Sequence, residues 1–323
     1  MPRAIVVHEL GGPEKLTLEQ IDVPSPGAGQ IKIRSRAIGL NFIDTYQRTG
    51  LYKVALPFVA GNEGAGEVIA VGPDVTQWRV GDRVAYQGSV GAYAEERLLP
   101  ADRVARIPDG ISYEVAAAAI LKGLTAFYLL HWTHPLKAGE TILIHAAAGG
   151  TGQILTQWAK AIGATVIATA GSDDKCAIAE KNGADLTINY RTDNFVERVK
   201  QFTGGKGVDV VYDGVGAATF EPSLDCLRPR GLMVSFGNAS GPVSIPRLTI
   251  LAEKGSLFLT RPTTGGYIRT ADDLRLAAEA LFNMISLGKV KIAIDQTFPL
   301  ADAAKAHAAL EARETTGSTL LLP

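Results

Sequence analysis

Residues 146–152 read Ala-Ala-Ala-Gly-Gly-Thr-Gly, a run almost without side-chain bulk. Residues this small let a backbone turn sharply and come close to a partner. Before the run stand Thr141, Ile142, Leu143, Ile144 and His145, a short apolar stretch with the pattern of a buried parallel strand. After it, Ile154, Leu155, Trp158 and Ile162 recur on one face of a helix. Strand, small-residue turn and helix start together aim backbone N–H groups and the positive end of a helix dipole at a phosphate. The stretch is a dinucleotide-binding fingerprint in variant form, with Ala147 where the first glycine of G-x-G-x-x-G would stand.

The elements that must position this turn follow it in strict alternation. Strands are expected at 165–170, 186–189, 208–213 and 231–236, with helices at 175–182, 195–202 and 219–227 between them. That is a parallel sheet covered on both faces, in which ligands sit at the strand ends. The strand at 165–170 ends Thr169-Ala170-Gly171-Ser172, with Lys175 just beyond and Tyr190 and Arg191 after the next strand. An enzyme that selects NAD holds a carboxylate about 20 residues past the turn to bind the ribose. Here a small pocket with a lysine stands at the strand end, which suits the 2′-phosphate of NADPH. Asp173 and Asp174 are the contrary residues, unless they cap the next helix.

The N-terminal third has another texture. Short runs at 4–8, 16–23, 30–38, 65–71, 83–86 and 93–98, broken by Gly and Pro, predict an irregular β barrel. An alanine-rich helix over 112–132 leads into the nucleotide-binding part. The last stretch predicts helices at 272–288 and 301–311 and strands at 291–298 and 318–322. It is too short for a domain, so it returns to complete the first one. The expected domains are 1–122 with 262–323, and 123–261.

Composition excludes several classes. Lys plus Arg number 32 against 33 Asp plus Glu, a formal charge of -1, which offers no general attraction to nucleic acid or membrane. No apolar segment of the roughly 18 residues a membrane span needs is read from the sequence, nor is an N-terminal leader, so a cytoplasmic protein is expected. The two cysteines, Cys176 and Cys226, both expected in helices, are too few for a disulfide framework or a cysteine zinc site and read as buried thiols.

Residues 139–160, with Gly39-Leu40-Asn41-Phe42-Ile43-Asp44-Thr45-Tyr46, Leu121-Lys122-Gly123-Leu124-Thr125-Ala126, Val211-Tyr212-Asp213-Gly214-Val215-Gly216 and residues 231–238, carry a resemblance that extends over nearly the whole chain. It resembles the quinone oxidoreductase and zeta-crystallin branch of the medium-chain dehydrogenase/reductase superfamily. The resemblance implies an α/β protein: a Rossmann doubly wound parallel sheet with a GroES-like irregular β-barrel catalytic domain, NADPH meeting substrate in a cleft, and a homodimer. It implies cofactor contacts at Asn41, Phe42, Tyr46, Thr125, Tyr128, Gly149, Gly150, Thr151, Gly152, Gly171, Ser172, Lys175, Tyr190, Gly214, Phe236, Gly237 and Asn238.

Zinc relatives in the superfamily carry a Cys about where Asn41 stands and a His at Asn62, and nothing here matches their four-cysteine site. Asn41 and Asn62 are poor ligands, Glu63 alone cannot hold the ion, and His8, His131, His134, His145 and His307 lie elsewhere in the sequence. Without zinc an alkoxide has no stabiliser. Reduction of an electron-poor conjugated acceptor, a quinone or enone, remains. It needs little beyond aligned rings and excluded water, with hydrogen-bond donors near the acceptor oxygen. By the resemblance, Asn41 and Tyr46, in the motif that faces the nicotinamide end of the cleft, are the catalytic candidates, either of which could instead hold a loop or a ring, and Tyr52 is a weaker substrate contact. A second reading keeps the NADPH site in a crystallin-like structural or RNA-binding protein; the near-zero charge counts against RNA.

Overall fold

A computed structural model of the protein describes residues 1–245 and 247–323. The chain forms two compact units: Met1–Leu124 with Ile268–Leu287 and Ile292–Pro323, and Thr125–Tyr267 with Gly288–Lys291. The expected limits stood at 122/123 and 261/262. Gly123 lies so close to Leu281 that a Cβ there would come within 2.4 Å of its side chain, which keeps this part of the connecting helix in the first unit.

The first unit opens with β1 (Arg3–Val7), β2 (Leu16–Gln20), β3 (Gln30–Leu40), α1 (Phe42–Arg48), β4 (Phe58–Val59), β5 (Glu63–Val71), β6 (Arg83–Gln87), β7 (Glu96–Pro100) and β8 (Val104–Arg106). Helix α2 (Tyr113–Tyr128) crosses the boundary and ends in a π-type turn, Leu129–Thr133. The second unit contains β9 (Thr141–Ile144), α3 (Gly150–Ile162), β10 (Thr165–Ala170), α4 (Asp173–Lys181), β11 (Leu186–Asn189), α5 (Phe195–Phe202), β12 (Val208–Asp213), α6 (Phe220–Leu224), β13 (Leu227–Ser235), α7 (Ile250–Glu253), β14 (Phe258–Thr260) and α8 (Thr264–Tyr267). The chain then returns through α9 (Ala271–Ser286), β15 (Ile294–Pro299), α10 (Ala303–Glu311) and β16 (Ser318–Leu322).

In the second unit the strands run parallel in the order β11-β10-β9-β12-β13-β14, the doubly wound order whose reversal falls between β9 and β12. Leu143, Ile167, Ile188, Val211 and Met233 form the core on one face of this sheet. Helix α4 begins earlier than expected because Ser172 caps it, its Oγ accepting from the Lys175 N–H at 3.3 Å. Helix α6 ends at Leu224, so Cys226 lies in the turn before β13 and not in a helix, though both thiols are buried as expected.

In the first unit one sheet has the order β15-β16-β3-β5-β6-β8, with β7 also on β3, and a second has the order β2-β1-β4. The C-terminal strand joins the N-terminal part directly, pairing Thr319 with Leu40 and Leu321 with Ile38. The stretch Tyr113–Thr133 departs from the sequence expectation: its 21 residues are long and apolar enough to cross a membrane. In the fold, 78% of its apolar window is buried, as befits a core helix.

Candidate active site

The turn after β9 is built by backbone. Ala146 takes a left-handed conformation, φ 52°, and its carbonyl accepts the Gly149 N–H at 3.0 Å. The residue that bends the chain is therefore an alanine, and the essential glycine is Gly152. A Cβ there would stand 2.4 Å from the Ala146 oxygen and 2.7 Å from the Ala147 Cα. Helix α3 starts at Gly150 after Gly149 with no side-chain cap, which leaves its first-turn N–H groups, those of Gly150, Thr151 and Gly152, to meet an anion. His145 is buried and bonded to Thr169 Oγ1 and Ser223 Oγ, each at 2.8 Å. Ser223 gives its own proton to the Thr219 carbonyl, so His145 Nε2 donates to Ser223 and the neutral ring ties β9 to β10 and α6. Burial lowers its pKa, which keeps it neutral.

At the end of β10, Gly171 lies under the Tyr190 ring; a Cβ on it would come within 2.6 Å of the hydroxyl. Ser172 and Lys175 follow, both half-buried. Asp173 is engaged by the Asn189 amide at 2.8 Å, and Ser172, not Asp173 or Asp174, is the helix cap. Gly171, Ser172, Lys175 and Tyr190 thus stand together with no free carboxylate cap among them. Where β12 and β13 end, Gly214 and Gly237 are packed backbone to backbone and the Phe236 ring lies 3.1 Å from where a Gly214 Cβ would be. Asn238 follows, buried. Buried Asp213 fixes this corner by accepting from the N–H groups of Val215 at 2.7 Å and Gly216 at 3.1 Å.

Thr125 and Tyr128 meet at the end of α2. The Tyr128 ring stacks on Tyr267 at 4.9 Å, and burial pushes its hydroxyl up to about 12 although Thr264 and Thr125 bond to it. Arg261, missed in the sequence, donates from Nη1 to the Ser235 carbonyl at 2.8 Å and lies close enough to lower the Tyr128 pKa. Its signal was available: a basic residue just after a strand, at the carboxyl ends where open α/β sheets bind ligands.

In the first unit, α1 has two faces. Phe42 and Tyr46, one turn apart, are half-exposed with ring centroids 6.3 Å apart, and Tyr52 meets Tyr46 edge-on at 5.3 Å. The opposite face, Asp44, Gln47 and Arg48, is buried. Asn41 caps the helix: its backbone N–H goes to Asp44 Oδ2 at 2.9 Å, and its side-chain Nδ2 donates to Glu63 Oε1 at 2.8 Å. Glu63 is fully buried and held also by the Leu121 N–H at 2.8 Å and the Lys122 ammonium. Gly39 makes room for that carboxylate, since a Cβ would come within 2.1 Å of it.

Asn62 donates to Asp44 Oδ1 and Gln47 Oε1, both at 2.6 Å. Burial pushes Asp44 up to about 6 even with the Asn62, Asn41 and Tyr93 donors around it. His307 lies two hydrogen bonds from Asp44, through the Tyr93 hydroxyl, so sequence distance misjudged its place. These residues do not suit zinc. Asn41 and Asn62 are committed amides, and Glu63 already has an internal cation in Lys122. Among the described residues no group of three or more His, Cys, Asp or Glu side chains is placed to hold a metal.

Comparison with known proteins agrees with both units. Residues 27–109 match the alcohol dehydrogenase GroES-like domain and residues 150–281 the zinc-binding dehydrogenase domain. The quinone oxidoreductase of Pseudomonas aeruginosa is 53% identical, with all of both chains covered. The 2-haloacrylate reductase of a Burkholderia species is 44% identical over 100% of this chain and 99% of its own. The crystal structure of Escherichia coli quinone oxidoreductase complexed with NADPH superposes with a TM-score of 0.97 at 50% identity, covering 99% of this chain and 100% of that one. The doubly wound sheet, its glycine turn and the GroES-like unit together define a nucleotide-dependent oxidoreductase of two domains. The chain belongs to the quinone oxidoreductase family of the medium-chain dehydrogenase/reductase superfamily.

Proposed function

We propose that the protein is an NADPH:quinone reductase that also accepts related conjugated carbonyls. The full-length likeness to an enzyme crystallised with NADPH carries this reading. The 2-haloacrylate reductase among its relatives supports the wider acceptor class. When bound, the reduced nicotinamide supplies the hydride, and a conjugated acceptor spreads the incoming charge onto its own oxygens, so no metal is called for.

The chain's residues bind and orient. The N–H groups of Gly150, Thr151 and Gly152, behind Gly149, hold the pyrophosphate. Ser172, Lys175 and Tyr190 at Gly171 take the 2′-phosphate, with the lysine as its charge partner. Gly214, Phe236, Gly237 and Asn238 seat the far ribose, while Thr125 and Tyr128 support it. In the first unit, Phe42 and Tyr46 present ring faces. Tyr46 Oη and the second Nδ2 hydrogen of Asn41 are donors for the acceptor oxygen; Glu63 takes the first Asn41 hydrogen and thereby aims the amide. Tyr52, packed on Tyr46, bounds the substrate side.

Oxidation of NADPH by 1,4-benzoquinone or 9,10-phenanthrenequinone, followed at 340 nm, tests this reading. Turnover at roughly 1–1,000 per second is expected. A protein that binds NADPH yet turns over no quinone or enone would leave only the structural reading.

Two further features support a homodimer in the cytoplasm. Strand β14 is one edge of the sheet, and its Phe258 is 61% exposed, so pairing with its own copy across a two-fold axis would satisfy an edge that is otherwise a liability. Cys176 and Cys226 are both free thiols, as a reducing compartment allows. Light scattering at micromolar concentration should give twice the chain mass; a monomer would refute the pairing.

A further inference from the structure

We propose that His307 and Tyr93 are positioning residues for the reaction, because they form a hydrogen-bonded relay from Arg48 to Asp44 that fixes the first turn of α1. This builds on the reductase reading. Arg48 is 1% exposed, and three of its nitrogens are used: Nε to the Gly11 carbonyl at 3.0 Å, Nη2 to Glu311 at 2.6 Å and Nη1 to His307 Nδ1 at 3.0 Å. A guanidinium only donates, so Nδ1 must accept, and the proton of neutral His307 is on Nε2. Nε2 then donates to the Tyr93 oxygen at 3.0 Å, and the Tyr93 hydroxyl gives its own proton to Asp44 Oδ2 at 2.9 Å. The same Oδ2 accepts the Asn41 backbone N–H. Every link has one donor and one acceptor, and all point the same way.

The surroundings enforce this polarity. Burial and the Arg48 charge push His307 down to about 3, so it does not gain a second proton at Nδ1, while burial and Asp44 raise Tyr93 well above its ordinary value. His307 lies on α10, 259 residues from Arg48. The relay therefore lets the C-terminal helix set where Asn41 and Tyr46 stand, without itself touching the reacting atoms.

Steady-state kinetics of Tyr93→Phe, His307→Ala and His307→Gln test this. Tyr93→Phe keeps the ring and should lower kcat about tenfold while the NADPH dissociation constant stays within about threefold. His307→Ala should match it. His307→Gln, which offers an amide oxygen to Arg48 and an N–H to Tyr93, should recover to within about threefold of the wild type. The double variant Tyr93→Phe/His307→Ala should be no slower than either single, as for two links of one chain. Folded variants with wild-type kcat, or losses that multiply, would overturn the relay while leaving the reductase reading intact. Where the wild type reduces no quinone, or the alanine variant does not fold, nitrogen NMR of His307 in the wild type decides. A proton on Nε2 that shifts in Tyr93→Phe supports the relay, and a proton on Nδ1 refutes it.

Discussion

Around residues 146–152 the protein prepares a polar site almost without side chains, whereas beneath α1 it does so almost entirely with them. In the turn, backbone N–H groups and a left-handed alanine do the work, and every participant lies within a few residues of the next. Under α1, Glu63, Lys122, Asp44, Asn62, Tyr93, His307 and Arg48 come from six different strands, helices and loops and satisfy one another. The first kind of site fails when bulk is added. The second fails when a partner is removed, because a buried charge or donor is then left without an answer.

The largest effect should come from the side-chain site. Lys122→Met strands the fully buried Glu63 carboxylate and should cost about 3–5 kcal/mol in urea unfolding. Glu63→Gln in the same chain should restore most of it, and a single variant of wild-type stability would mean that the pair is not coupled. Next comes Gly152→Ala, whose methyl would strike the Ala146 carbonyl and Ala147 Cα. NADPH affinity should fall about a hundredfold, near 3 kcal/mol, in a fluorescence titration. Unchanged binding would show that the turn adjusts, so that backbone geometry is not what limits it.

Lys175→Ala separates charge from shape within the nucleotide unit. NADPH should weaken by roughly ten- to a hundredfold and NADH hardly at all, with the difference shrinking as salt is raised. Equal weakening of both cofactors would place Lys175 away from the 2′-phosphate. The smallest change is Ala146→Gly, which relieves a left-handed alanine at the expense of a more flexible unfolded chain and should add about 0.5 kcal/mol of stability. A loss there would mean that the alanine methyl packs on something the turn needs.

Much of the second unit was legible in its sequence. The alternation of apolar strands and helices gave the strands at 165–170, 186–189 and 208–213 to the residue: the first and last are buried and mostly apolar, and 186–189 is a half-buried edge strand bounded by the helices on either side. The start of α4 was missed by two residues because Ser172 competes with Asp173 and Asp174 for the cap, and only the backbone geometry chooses among them. The first unit was harder. Helix α1 has a polar inner face and an aromatic outer one, the inverse of the usual pattern, so periodicity gave no sign of it.

By itself, then, the sequence determined the kind of sheet, the place of the small-residue turn, the absence of a carboxylate capping the strand at Ala170, and the unsuitability of Asn41 and Asn62 as metal ligands. All of these depend on residue types at short spacing. Only the tertiary structure decided that Lys122 neutralises Glu63, that the Asn41 amide is aimed by Glu63, that Arg261 stands at the end of β13, and that His307 reaches Asp44 through Tyr93. Those contacts join positions tens to hundreds of residues apart, and a buried polar side chain finds its partner through the packing of whole elements, which no local pattern encodes.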